Sequence, residues 1–159
     1  MTQKTPWSEP MSDDMMTILE KTELFRGFSQ EQLQKVISQL QPRKIELQVG
    51  DRLYKRGDPS DRCWLIQSGN LTAQRPSLRT PFRHMIYHAG SVTGIQGLAD
   101  PGSPRAVSMI AEEGTELIEI TYEGTERLDP EAQIKLWKNV ARIMLRKLAF
   151  CLARESIGE

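Results

Sequence analysis

Two cysteines and two histidines in 159 residues leave little material for metal or redox chemistry. Cys63 and Cys151 lie far apart and neither belongs to a Cys-x-x-Cys pair, which argues against a zinc ribbon, a thioredoxin-like motif or a disulfide framework. That usage fits a reducing compartment. His84 and His88 share a strand face, but no Cys, Asp or third His is placed to complete a zinc site, so both read as exposed or half-buried strand residues and no metal is expected. Charge of one sign is missing as well: 21 Lys plus Arg balance 21 Asp plus Glu, which leaves no electrostatic footprint for wrapping nucleic acid. No apolar run approaches the roughly 18 to 20 residues of a membrane span, and the start of the chain has no basic, apolar and small-residue pattern of a signal peptide. These absences predict a soluble, cytoplasmic protein with no membrane contact. No nucleophile sits in a recognisable Ser-His-Asp or Cys-His motif, so no catalytic residue is assigned and no enzymatic activity is expected.

What remains suits one well-buried core: 159 residues is too short for two comfortable domains, and 38% hydrophobic with 26% charged residues is an ordinary globular balance. Residues 1–12 carry prolines and polar residues without a period and read as a flexible tail. From Ser12 or Asp13 as cap, Met16, Leu19 and Ile18 make a short apolar stripe. A second helix starts at Ser29, which with Gln32 forms a capping box; Leu33, Val36, Ile37 and Leu40 follow at helical spacing, and Pro42 ends it near Gln41. Residues 13–42 are thus a helical lead-in.

Beyond Arg43 the period falls to 2. Ile45 and Leu47 alternate, turns follow at Gly50-Asp51, Gly57-Asp58-Pro59-Ser60 and Ser68-Gly69-Asn70, and Cys63-Trp64-Leu65-Ile66 is a short apolar run. Leu71 to Ala73, Phe82 to His88, Ala106 to Ala111 and Leu117 to Tyr122 read as further strands, with Arg75 to Pro81 an exposed hairpin loop. Residues 43–125 therefore predict a β-roll. From Pro130, with Asp129 as its cap, a long helix begins; it belongs to a C-terminal region spanning 126–159. Ile134, Trp137, Val140, Ala141, Met144, Leu145, Leu148, Cys151 and Leu152, widened by Ile143, Ala149 and Phe150, form an apolar stripe too broad for one face, and Trp137, Val140, Ala141, Met144, Leu148 and Cys151 are the candidate interface of a homodimer. The competing reading buries the helix wholly in its own core. Arg142, Arg146, Lys147 and Arg154 are read as a solvated basic edge.

The stretch from Gly50 to Gly69, with Gly50-Asp51, Leu53-Tyr54, Gly57-Asp58-Pro59-Ser60-Asp61, the apolar run to Ile66 and the closing Gly69, closely resembles the signature of the cyclic-nucleotide-binding domain family. Leu24-Phe25-Arg26-Gly27-Phe28-Ser29 looks like that family's lead-in, so the resemblance covers about residues 15–154. It implies a mainly β fold with flanking helices: a double-stranded β-helix, or jelly-roll-like β-roll, with glycines of positive φ at its corners and a long C-terminal helix. The family's phosphate-binding cassette resembles Ala89 to Ser108, which makes Gly94, Ile95, Gln96, Gly97, Arg105 and Ala106 the candidate ligand-binding residues. By resemblance, Arg105 holds the cyclic phosphate, in keeping with the bidentate fork of a guanidinium. Two positions depart from the pattern. Ile95 stands where the family has the glutamate that binds the ribose 2′-OH, and Ala106 replaces a small hydroxyl residue. Isoleucine accepts no hydrogen bond, and a hydroxyl buried unpaired costs ~1–3 kcal/mol. Gln96 compensates only if the register slips by one residue.

The expectation is therefore a signalling or scaffolding module without a cofactor, impaired in binding cyclic AMP or cyclic GMP, which acts as a homodimer on signalling-protein partners. The competing expectation is a sensor of a cyclic mononucleotide, a cyclic dinucleotide or another anion, held by Arg105 and the cassette backbone. Arg105 would otherwise pair with a carboxylate such as Asp100 or cap the cassette helix. DNA binding by this chain is not expected, because the helix-turn-helix that the family's transcription factors carry has no room before Glu159.

Overall fold

The computed structural model describes residues 11–74 and 84–157. Helix α1 (Met11–Glu20), a 3-10 turn (Glu23–Phe25) and α2 (Gln30–Leu40) precede the strands. The expected tail at 1–12 lies outside the described residues as far as 10, and α1 already starts at Met11 rather than at a Ser12 or Asp13 cap. Its buried residues are Met15 and Leu19, one turn apart, with Met16 and Ile18 packed at the edge. The capping box of α2 forms as read: the Ser29 hydroxyl accepts from the Gln32 amide at 3.1 Å and the Gln32 side chain accepts from the Ser29 amide at 3.0 Å. Gln41 closes the helix in the left-handed region, φ 51°, ahead of Pro42.

Among the described residues eight strands follow: β1 (Arg43–Leu47), β2 (Arg52–Tyr54), β3 (Arg62–Ser68), β4 (Asn70–Gln74), β5 (His84–His88), β6 (Val92–Thr93), β7 (Ser108–Ala111) and β8 (Thr115–Thr121). They pair antiparallel in two four-stranded sheets ordered β1-β8-β3-β6 and β2-β7-β4-β5, the roll that the sequence predicts. The expected hairpin loop at 75–81, with Phe82 at the start of its strand, lies outside the described residues. The turns at Gly50, Gly57 and Gly69 have φ of 87°, 89° and 87°, as the resemblance implies. At Gly69 a side chain would also strike the Thr115 hydroxyl and the Gly114 carbonyl.

Strand β3 explains why the run Cys63-Trp64-Leu65-Ile66 does not alternate with polar residues. Cys63 and Leu65 face a core shared with the helices, and Trp64 and Ile66 face the core between the sheets. Both faces are covered, so every position is apolar.

Two short helices were not legible in the sequence, α3 (Gln96–Ala99) apart from its likeness to the cassette and α4 (Tyr122–Glu126) altogether; α4 straddles the expected boundary between roll and C-terminal region. Helix α5 (Pro130–Ile157) begins where Pro130 predicts. The Asp129 carboxylate, read as its cap, instead pairs with Lys35 at 2.7 Å and accepts from the Gln39 amide at 3.2 Å, tying α2 to the start of α5. Helix α5 is neither wholly core nor wholly interface. Leu136, Val140 and Ile143 are buried against α1, α2 and the roll, while the Asn139 amide donates to the carbonyls of Leu24 and Arg26. Among the six expected interface residues, Val140 is in this core, Trp137 packs on its edge and Cys151 is half-buried; Ala141, Met144 and Leu148 are exposed. Val140 and Trp137 fall on the same face of α5 as Leu136 and Ile143. Among the described residues, no helix is long and apolar enough to cross a membrane.

Candidate functional site

The cassette folds by clamping one loop against another. Arg105 N–H donates to the Asp58 carbonyl at 2.8 Å, Gly57 N–H donates to the Arg105 carbonyl at 2.8 Å, and Ser60 N–H donates to the Ser103 carbonyl at 3.0 Å. Residues 103–105 are thus held like a strand along 57–60, and the Arg105 side chain is aimed inward. Gly97 permits the other half of the clamp, because a Cβ there would run into the backbone of Arg62 at the start of β3.

Arg105 is 4% exposed. Its Nη1 donates to the Gly94 carbonyl at 2.8 Å and its Nη2 to the Arg62 carbonyl at 2.7 Å. The guanidinium lies 4.6 Å from the centre of the Tyr54 ring and 5.2 Å from that of Trp64, and these two rings are themselves stacked at 5.5 Å. Desolvation depresses its basicity, offset in part by Tyr54, Cys63 and Asp61. An arginine stays charged here, and its charge is compensated by two carbonyl dipoles and two π faces. The expected alternative partner, Asp100, is not involved; nor does the side chain cap α3. Arg105 pins the cassette to β3.

The surrounding polar groups are also occupied by the protein. Arg62 makes a two-pronged pair with Asp61 at 2.7 and 2.9 Å and reaches Glu119 at 3.2 Å, which holds the Asp61 carboxyl below its usual range. The Gln96 amide donates to the Ser103 hydroxyl at 2.9 Å and to the Pro104 carbonyl at 3.2 Å. Gln96 thus bridges α3 to the 103–104 segment. Ile95 is 5% exposed and belongs to the helix-side core, and Ala106 is exposed.

A cavity of about 220 Å³ remains beside the cassette. It brings together five of the six expected residues, Gly94, Ile95, Gln96, Arg105 and Ala106; Gly97 packs on Arg62 instead. Sequence reasoning missed Tyr54, Tyr87, Met144 and Lys147, which also line it. The sequence places Lys147 on a solvated edge, yet its ammonium is turned inward, donating to the Val92 carbonyl at 3.2 Å and lying 5.4 Å from the Tyr87 ring. The signal was its spacing: it falls one turn after Ile143, on the buried face. Of the other basic residues, Arg146 pairs with Glu23 and Arg142 contacts Asn139, while the Arg154 side chain lies outside the described residues. Two cations and, among the described residues, no carboxylate line the cavity.

The profile of the cyclic nucleotide-binding domain matches residues 44–128. No curated protein sequence matches the chain. Among solved structures, a cyclic nucleotide-binding domain from Methylobacillus flagellatus superposes with a TM-score of 0.75 at 20% identity, over 94% of this chain and 85% of that one. The N-terminal domain of a transcriptional regulator from Streptomyces coelicolor gives 0.69 at 24% identity, over 85% and 94%. The catabolite activator protein of Thermus thermophilus gives 0.64 at 25% identity, over 86% of this chain and 61% of that protein, so this chain spans less than two thirds of it. With the profile covering more than half its length, the two-sheet roll and the cassette in place, this chain belongs to the cyclic nucleotide-binding domain family.

Proposed function

We propose that this chain is a non-enzymatic regulatory module that does not bind cyclic AMP or cyclic GMP in its family's usual way and acts as a homodimer on protein partners. The observation that carries this reading is the engagement of Arg105: its guanidinium is bonded to the Gly94 and Arg62 carbonyls and enclosed by Tyr54 and Trp64. A phosphate would have to displace those bonds. The cavity of about 220 Å³ is also smaller than the roughly 300–1,000 Å³ of ordinary small-molecule sites. Titration calorimetry with cyclic AMP and cyclic GMP tests it; tight binding that Arg105→Ala abolishes sinks the proposal.

The dimer rests on α5. Ile134, Lys138, Ala141, Leu145, Leu148 and Leu152 are all exposed and recur at alternating spacings of four and three, the pattern of a two-stranded seam. Ile134 is 69% and Leu145 67% exposed, which a solitary chain has no reason to prefer. The seam supported here is rotated from the one expected, keeping Ala141 and Leu148 and replacing Trp137, Val140, Met144 and Cys151. Sedimentation of the wild type should give a dimer and Leu145→Glu a monomer; a monomeric wild type at tens of micromolar disposes of it.

One observation favours a second reading, a compact anion in the cassette cavity: Arg105 and Lys147 both line it, with no carboxylate among the described residues. Calorimetry with cyclic dinucleotides and inorganic phosphate separates it from the first.

A further inference from the structure

The inward face of α5 continues past the core it packs against. Leu136, Val140 and Ile143 are buried, and one turn further the same face carries Lys147, Phe150 and Cys151, which line a groove. The groove has a volume of about 660 Å³, within the range of sites that enclose a small molecule. Its opposite wall is strand β5 and the turn into β6, with Met85, Tyr87 and Val92 supplying apolar surface.

Charge on this apolar trough is one-sided. Among the described residues, Lys21, Arg146 and Lys147 line it against a single carboxylate, Glu23, and Glu23 is taken by Arg146. That leaves Lys21 and Lys147 in excess. The Lys147 ammonium has three donors, and the described residues give it the Val92 carbonyl at 3.2 Å and the Tyr87 ring but no carboxylate. Lys147 is half-buried and desolvation lowers its pKa, so an arriving anion would be favoured by meeting a charge that no carboxylate among the described residues meets.

We propose that this groove binds an amphipathic carboxylate, with its anionic head on the Lys147 ammonium and its aliphatic or aromatic body along Met85, Tyr87, Val92, Ile143 and Phe150. The complementarity is twofold: a cationic end matched to a carboxylate and an apolar wall matched to its body. The groove shares Tyr87 and Lys147 with the cassette cavity, extends away from Arg105 and needs no nucleotide. It also leaves the seam of α5 free, because Ala141, Leu145 and Leu148 project from the opposite face of the helix.

Decanoate, decan-1-ol and decyltrimethylammonium, each below its aggregation concentration, are the probes for the full chain. Titration calorimetry gives affinity, and the rate at which iodoacetamide alkylates Cys151, which lines the groove, reports occupancy. Decanoate is expected to bind one per chain, more tightly than the alcohol or the cation, and to slow alkylation of Cys151. Lys147→Met should weaken decanoate by roughly 10- to 100-fold, the value of one charge-assisted hydrogen bond, with the alcohol unaffected. Lys147→Arg should retain binding, which guards against a folding defect, and Leu145→Glu on the opposite face should leave it unchanged. Failure of decanoate to bind, equal binding of all three probes, or wild-type affinity in Lys147→Met overturns the proposal. So does protection of Cys151 that rises with protein concentration in the absence of probe, which would make the occupant a second copy of the chain.

Discussion

Trp64 and Glu119 face each other across β3 and β8, and the indole Nε1–H donates to the Glu119 carboxylate at 3.2 Å inside the roll. The same carboxylate receives Arg62 at 3.2 Å, so one buried acid satisfies two donors that begin β3. Glu119→Leu should cost roughly 1–3 kcal/mol, since it leaves the indole N–H without its acceptor and breaks the Arg62 pair. Glu119→Gln should cost less, because its amide oxygen still accepts. Urea denaturation of the two variants reads the difference, and equal losses would show that packing volume, not hydrogen bonding, sets the value.

Arg105 separates a structural arginine from a ligand-binding one. Arg105→Ala deprives the Gly94 and Arg62 carbonyls of their donors and opens a void between Tyr54 and Trp64, for an expected loss of roughly 2–4 kcal/mol in the absence of any ligand. A cation held ready for phosphate gives the reverse: its removal from the empty protein is neutral or stabilising. Chemical denaturation without nucleotide decides between them.

Gly94 sits at φ 73°, and a Cβ there would lie 2.9 Å from both the Arg105 Nη1 and the Trp64 ring. Gly94→Ala should therefore loosen the cassette and destabilise the fold by roughly 1–3 kcal/mol. The companion Gly102, at φ 90° with nothing near its missing Cβ, should show only the milder backbone strain when changed to alanine. Equal midpoints for the two variants would remove the steric account.

The two cysteines should behave differently. Burial pushes the Cys63 thiol from an ordinary 9.0 up to about 12, opposed by Arg105 and Lys147, whereas Cys151 is half-buried. Iodoacetamide at pH 8 is expected to modify Cys151 and spare Cys63 until the chain unfolds, as peptide mapping will show. A raised folded pKa also links stability to pH: the contribution of Cys63 is full below pH 9.0 and is lost as pH climbs toward about 12, because the unfolded chain releases its proton first. Cys63→Ala should flatten that alkaline decline.

Much of this fold was legible because its punctuation is local. Ser29 with Gln32, Pro42, Pro130 and the corner glycines each answer to the backbone within a few residues, and each stands where the sequence places it. The cassette was legible by likeness, which brought Arg105 to the cavity but did not show the carbonyls that its side chain meets. Its bonds go to carbonyls 11 and 43 residues away, and no local pattern encodes them. Lys147 was hidden for a related reason: a lysine on a helix reads as solvated unless the helix is known to overhang another wall. Val140 and Leu145 differ likewise only in which side of α5 meets the roll, and a helix apolar on both sides does not say which.

The division of β3 between two cores has a mechanical consequence. Cys63 and Leu65 are gripped by the helices while Trp64 and Ile66 are gripped by the opposing sheet, so the strand is a party wall that neither side can vacate alone. The helical layer should not peel away while the roll stays intact; heat should melt both in one transition, with matching calorimetric and van't Hoff enthalpies. A shift of the helical layer is then felt at the wall to which Arg105 is fastened.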